Sequence, residues 1–295
     1  MPLLWVLGEY AMLSKTKKTT KFLAAFGVLA VVVTAGIFAG CIGKGGGDTV
    51  TLTVAGSTTV LPIVQQCADA YMDKHDNWDI QVSGGGSSVG VRSAAEKTAD
   101  IGMSSRDVKA SEFAEWPSLE VHIIAADGLA VIVHNNNPVD SLSTDHIKKI
   151  YTGIITNWQE VGGANMPIVV VGRDSNSGTR ASFEEIVLDK ELPTSSMLEK
   201  NSNGAVKETV AQTPGAIGYV GLGYLDNSVT TVAVDDVIPT TGTVLDGSYP
   251  IARNLFVITN GEAKGPIKEF IDFMLSKEGQ KIVKDEGFIP VGPTA

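Results

Sequence analysis

The chain predicts an α/β fold, and three features of the sequence carry that prediction. Short β-branched and apolar runs alternate with stretches of helical periodicity. Turns rich in glycine, serine and threonine join them, and the chain holds 32 glycines. Aromatic residues are only 6% of the total, so the apolar segments are mainly aliphatic. A length of 295 residues allows one or two domains with a sizeable core.

The first 40 residues stand apart. Lys15, Lys17, Lys18 and Lys21 precede an apolar run from Phe22 to Ala39, which ends in Phe38-Ala39-Gly40-Cys41. A basic region, an apolar region and small residues before a cleavage point make a secretory signal over residues 1–40. The run is also close to spanning length, which leaves an uncleaved membrane anchor as the other reading. Met12 is a better start for this pattern than Met1. Either reading places the remainder of the chain outside the cytoplasmic membrane. The small-small-Cys ending resembles a lipoprotein signal, and that resemblance implies that Cys41 becomes the lipidated first residue of the mature chain. Residues 41–48 form a flexible tether. Cys41 and Cys67 could pair as a disulfide, but Cys41 sits at the processing site and Cys67 in a helical pattern. Separate roles fit better, with Cys67 a small core residue.

Thr49 to Ala55 alternates β-branched and apolar residues and reads as the first strand. It runs into Gly56-Ser57-Thr58-Thr59 and a helix with Leu61, Val64, Ala68 and Tyr71 on one face. Asp79 to Ser83 is a second strand, followed by Gly84-Gly85-Gly86-Ser87-Ser88 and a helix to about Thr98. Asp100 to Asp107 is a short strand ending in Ser104-Ser105-Arg106, and Ser111 to Glu115 is a short helix at most. Val121–Ala126 and Leu129–His134 form two strands or one long one. A helix spans Thr144–Tyr151 after a hydroxyl cap, with Trp158 packed on it. Val169-Val170-Val171 is a buried strand that leads through Gly172-Arg173-Asp174-Ser175-Asn176-Ser177 into a helix from Thr179 to Leu188. Asn201 to Gly204 opens the helix Ala205–Gln212, and Ala216–Val220 is the next strand. Thr230–Val234 is a strand, and the polar stretch around it, Asp226–Ser248, is mostly loop. Tyr249–Thr259 is a strand, and helices over Pro266–Leu275 and Lys277–Glu286 close the chain.

One design recurs: a strand, a glycine turn, hydroxyl residues, and a helix start. The first N–H groups of a helix have no internal partner and carry the positive end of its dipole. Small residues let an anion approach them, and a guanidinium adds a bidentate donor. The stretch around Arg173, Ser177, Gly178 and Thr179 therefore suits a phosphate-like group, although an ordinary capped helix beside a surface arginine would read the same way. Gly86-Ser87-Ser88-Val89-Gly90 also fits the G-x-S-x-G elbow of a serine hydrolase, with Ser88 as nucleophile. That chemistry needs a late histidine, and the last one is His146. A dinucleotide fingerprint fails at Val89, and a Walker A loop is missing its Gly-Lys-Ser/Thr. No Cys/His cluster has metal-ligand spacing, so neither metal nor cofactor is expected. The full chain carries −10; residues 1–40 hold four Lys and one Glu, which leaves 19 basic and 32 acidic residues and −13 beyond them. So acidic a chain disfavours nucleic acid. It does not bar a small anion held by local dipoles, because surface charge is screened beyond about 8–10 Å.

Taken in one order, the segments Ala55–Thr59, Gly84–Ser88, Asp100–Arg106, Gly172–Thr179, and Asn203-Gly204 with Pro214–Val220 resemble the periplasmic phosphate-binding proteins of phosphate ABC transporters. The resemblance spans about residues 50–290. It implies a two-lobed solute-binding fold of type II with the ligand in the cleft between lobes. Lobe one would be residues 49–129 plus 252–295, and lobe two residues 130–251, with crossings near Asp127–Val131 and Tyr249–Asn254. The residues it carries over as phosphate ligands are Thr58, Thr59, Ser87, Ser105, Arg173, Ser177, Gly178 and Thr179. The Asn203 segment enters as a structural signature and not as a contact. The implied protein is a monomeric lipoprotein, held to the membrane by its lipid on the extracytoplasmic side. It would hand inorganic phosphate to permease subunits and catalyse nothing. Many members of the family carry an aspartate where this chain has Ser105, and that aspartate accepts the phosphate proton. Asp174 or a backbone carbonyl would have to serve here. A binder of sulfate, molybdate or tungstate is the nearest alternative.

Overall fold

The computed structural model describes residues 49–293. The expected signal segment 1–40, the expected tether 41–48 and Cys41 lie outside the described residues. In chain order the strands are β1 (Val50–Gly56), β2 (Trp78–Ser83), β3 (Ile101–Ser104), β4 (Leu119–Val133), β5 (Ser141–Leu142) and β6 (Val169–Arg173). They continue with β7 (Leu198–Lys200), β8 (Ala216–Gly221), β9 (Thr230–Val234), β10 (Ala252–Asn260) and β11 (Ile289–Pro290).

Strand β1 buries Leu52 and Val54 and pairs in parallel with β2 on one edge and β3 on the other. Parallel neighbours need crossovers, and the helices Leu61–Met72 and Ser87–Ala95 supply them. Antiparallel β10 then joins β3 to β4. On the far side, β8 pairs antiparallel with β4 and in parallel with β6, which in turn carries β7. The path is β2-β1-β3-β10-β4-β8-β6-β7, with β9 and β11 also on β4.

Strand β4 links the two halves of this sheet. Its residues Leu119–Gly128 pair with β10, and Leu129–Val133 pair with β8. Of the two readings left open by the sequence, the single long strand holds: β4 has 15 residues, because Asp127 and Gly128 keep their ladder pairing with Arg253 and Ala252. Separate apolar cores lie on either side of this change of partner. One gathers Leu52, Val54, Ile101, Met103, Leu255, Val257, Phe270 and Phe288. The other gathers Leu129, Val131, Tyr151, Trp158, Phe183 and Tyr219. Cys67 is a buried free thiol in the first core, and burial pushes its pKa up to about 12. Trp158 shares the second core with Tyr151 and donates its indole N–H to the Gly215 carbonyl at 2.8 Å.

Element ends differ from the sequence expectation where side chains intervene. The helix after β6 runs Gly178–Ile186, one residue earlier at its start, because the Ser177 hydroxyl caps it by accepting from Arg180 N. The polar stretch 226–248 contains a short helix, Thr241–Leu245, capped by Thr240. β10 begins at Ala252 and not at Tyr249, whose side chain is buried in the second core and donates to the Leu129 carbonyl at 2.7 Å. No helix among the described residues is long and apolar enough to cross a membrane.

The helix Ser87–Ala95 lies unusually close to the sheet. A Cβ placed on Gly90 would sit 2.2 Å from the Met103 carbonyl oxygen, and one on Gly102 would sit 2.3 Å from the Gly90 carbonyl oxygen. Backbone lies directly on backbone, and this close seat brings Ser87 beside the end of β3. Gly90→Ala should force the helix outward and destabilise the fold by about 1–3 kcal/mol. Chemical denaturation checks this, and an unchanged midpoint would contradict it.

Candidate anion site

Strand ends and helix starts converge where the two halves of the sheet meet. The turn after β1 brings Ser57, Thr58 and Thr59, and the turn after β2 leads to Ser87. The end of β3 supplies Ser105, and the turn after β6 supplies Ser177, Gly178 and Thr179. Ligand sites in open α/β sheets form outside the carboxyl ends of parallel strands for this reason.

The hydroxyls from the two halves touch. Thr59 Oγ1 lies 2.9 Å from Thr179 Oγ1, and both residues are buried. Ser87 Oγ accepts from Ser105 N at 2.9 Å and lies 3.2 Å from Ser105 Oγ. Gly178 presses against this serine pair. A Cβ there would fall 2.1 Å from Ser87 Oγ and 2.9 Å from Ser105 Oγ, so any side chain would displace them. Further bonds tie the halves together. Ser88 N donates to the Asn176 carbonyl at 3.1 Å, Ser182 Oγ donates to the Ser105 carbonyl at 3.2 Å, and the Tyr224 hydroxyl donates to the Thr58 carbonyl.

Arg173 is 1% exposed. Its Nε and Nη2 donate to the carbonyls of Lys200 and Asn201, each at 3.1 Å. The Asp174 carboxylate lies 3.8 Å from its Nη2 and is partly exposed. Burial draws the Arg173 pKa below its ordinary value, and repulsion from Arg253 adds to this. Carbonyls solvate the guanidinium without neutralising it, so the site retains positive charge that an anion would satisfy.

The expected site residues fall into groups. Thr58, Thr59, Ser87, Ser105, Gly178 and Thr179 lie in one contiguous cluster. Ser177 faces its own helix, where its hydroxyl accepts from Arg180 N at 3.2 Å. Arg106 pairs in bidentate fashion with Glu112, at 2.8 and 2.7 Å, and donates to Ser88 Oγ at 3.2 Å. Glu112 is held below the usual carboxylate range by that guanidinium and the Lys109 N–H, which outweigh its burial. A groove of about 470 Å³ opens beside the cluster and is lined by Thr58, Gly84, Gly85, Asp174 and Asn176 among others.

Three residues of the cluster were not expected there. Asn203 is fully buried, and its amide donates to Thr59 Oγ1 at 2.9 Å and Thr58 Oγ1 at 3.2 Å. Arg253 is a second guanidinium, which donates to Thr59 Oγ1 at 3.3 Å and to the Ser105 carbonyl at 3.1 Å. Its Nε and Nη2 also meet Asp127 Oδ2 at 3.1 and 2.8 Å. Asp127 and Arg253 face each other on the β4–β10 ladder, with side chains 0% and 4% exposed. Burial pushes the carboxyl up and the guanidinium down, but each charge opposes the other's shift, and Leu222 N also donates to the carboxylate. The two groups form a buried salt bridge at 2.8 Å. Its only trace in the sequence was that both residues fall within the two expected crossings.

A cluster of hydroxyls and helix N-termini where two α/β halves of one sheet meet is the arrangement of a solute-binding protein. A family model described as the PBP superfamily domain matches residues 43–278. The phosphate-binding protein PstS of Bacillus subtilis is 40% identical over 243 residues, covering 82% of this chain and 81% of that protein. The PstS of Borreliella burgdorferi is 33% identical, covering 81% and 90%. A phosphate ABC transporter substrate-binding protein from Clostridium perfringens, solved with bound phosphate, superposes with a TM-score of 0.78 at 41% identity, covering 82% of this chain and 99% of that one. The chain belongs to the PstS family of phosphate-binding proteins, within the periplasmic-binding-protein superfamily.

Asp127→Asn removes the charge that balances a buried arginine. It should destabilise the protein by about 3–5 kcal/mol. Denaturant unfolding of parent and variant tests this, and a difference within error would contradict the ion-pair role.

Proposed function

We propose that this chain binds inorganic phosphate in the cleft and delivers it to the permease of a phosphate ABC transporter, breaking no bond. The observation that carries this reading is the meeting of Thr59, Thr179, Ser87, Ser105 and Gly178, drawn from both halves, beside a buried guanidinium short of negative charge. The names borne by its relatives support the same choice of anion. The two lobes of the reading are residues 49–129 with 252–295, and residues 130–251. Phosphate would dock on one lobe, and closure would add the other lobe's donors. Thr58, Ser87, Ser105, Arg173, Gly178 and Thr179 would face the anion, while Ser177 would act through the start of its helix. The lipid on Cys41, the cleaved signal, the anchored position on the extracytoplasmic face and the monomeric state belong to the same proposal.

A second reading is kept by one observation. The Ser105 carbonyl already accepts from Ser182 Oγ and Arg253 Nη1, so both its lone pairs are used and it cannot take a phosphate proton. With the Ser105 carbonyl filled, Asp174 is the acceptor we assign in the phosphate reading; without a proton acceptor, the site would suit sulfate equally well. The hydrolase alternative loses ground at Ser88, whose hydroxyl is bonded by Arg106, a group that cannot serve as a base.

Arg173→Ala should weaken phosphate binding by about 2–5 kcal/mol, because it leaves buried negative charge unpaired. Titration calorimetry in competition with sulfate tests both points. A variant that binds as tightly as the parent would remove Arg173 from the site, and sulfate displacing phosphate would favour the second reading.

A further inference from the structure

We propose that Asn203 and Arg253 are positioning residues that fix the direction of the Thr59–Thr179 hydrogen bond, so that the Thr179 hydroxyl is left to donate to the bound anion. This inference rests on the phosphate reading above.

Counting donors and acceptors around Thr59 Oγ1 sets the direction. A hydroxyl accepts at two lone pairs and donates once. Asn203 Nδ2 and Arg253 Nη2 both reach this oxygen, at 2.9 and 3.3 Å. A guanidinium can only donate. The amide's orientation is equally fixed, because Gly221 N, itself a donor, meets Asn203 Oδ1 at 3.3 Å and so turns Nδ2 toward the threonines. Both lone pairs of Thr59 are therefore filled. Its one proton must go to Thr179 Oγ1, 2.9 Å away. Thr179 accepts it and keeps its own proton for another partner.

The polarity thus runs from the buried arginine and amide, through Thr59, to Thr179 and outward. An anion offers only acceptors to such a chain, apart from any proton it carries, so the orientation matches the ligand before it arrives. Thr59 has no proton left to give. Its backbone N–H is also engaged, with Ser57 Oγ at 3.2 Å. Thr59 acts on the anion through Thr179 and not by its own contact, whereas Thr58, which takes only the other Asn203 N–H, keeps its hydroxyl proton.

The test is a double-mutant cycle read by titration calorimetry with inorganic phosphate on the full chain. Asn203→Asp replaces a donor by an acceptor of the same shape. Thr59 can then donate to the new carboxylate and accept from Thr179, which draws the Thr179 proton away from the anion. The added charge repels phosphate whether or not Thr59 is present, but the reversal needs the Thr59 hydroxyl. Asn203→Asp should therefore cost about five- to tenfold more affinity in the parent than in a Thr59→Val background. Within the parent background, its penalty should also shrink as pH falls and the introduced carboxylate takes a proton, relative to the parent at each pH. Equal penalties in the two backgrounds would overturn the inference. Arg253→Lys, which keeps the charge but loses the fork that serves Asp127 and Thr59 together, supplies an independent cycle with Thr59→Val should Asn203→Asp not fold, and it should show coupling of the same sign. Additive effects there would overturn the inference as well. A parent that takes up no phosphate would overturn the phosphate reading itself, a result distinct from additive variants of a phosphate-binding parent.

Discussion

Incompletely balanced positive charge, held out of water, is the constraint from which the site follows. The side chains of Arg173 and Arg253 are both buried, and they repel each other. Asp127 answers Arg253 at hydrogen-bond distance, but Arg173 has carbonyls and a carboxylate at 3.8 Å. A buried charge in this position is costly unless a partner supplies both opposite charge and acceptors. A tetrahedral oxyanion supplies both. The fold tolerates the arrangement because each arginine is anchored by groups that no ligand need displace.

Geometry then decides what kind of anion can enter. The donors come from helix starts and hydroxyls on both sides of the point where β4 changes partner from β10 to β8. Glycine at positions 90 and 178 lets the helices approach so closely that Ser87 and Ser105 stand in contact with the loop of the other half. The bonds that link the halves directly, among them Thr59 to Thr179 and Asn203 to Thr59, are each worth about 1 kcal/mol net. An anion that bonds to donors of both sides would add to them.

Much of this was legible in the chain before any coordinates. Strand and helix alternation was plain, because several aliphatic runs end in glycine turns and several helices begin with hydroxyl residues. Six of the eight expected ligand residues fall in one cluster with each other; Arg173 is set into the carbonyls behind it, and Ser177 serves as a cap. What the chain did not disclose is instructive. Asp127 and Arg253 are 126 positions apart, and only the antiparallel register of β4 and β10 sets them face to face. Asn203 looked like the start of a helix and is one, but its amide points back across the cleft. Local periodicity reports elements and caps; it does not report which side chain a long-range pairing turns inward.

One arrangement underlies the function: donors from both halves around a single tetrahedral oxyanion. A crystal structure of the protein grown in phosphate measures it directly. One bound anion is expected, its oxygens meeting Arg173, Thr179 and the Ser87–Ser105 pair at hydrogen-bond distance together. An anion held by residues of one half alone, or lodged elsewhere on the molecule, would contradict it.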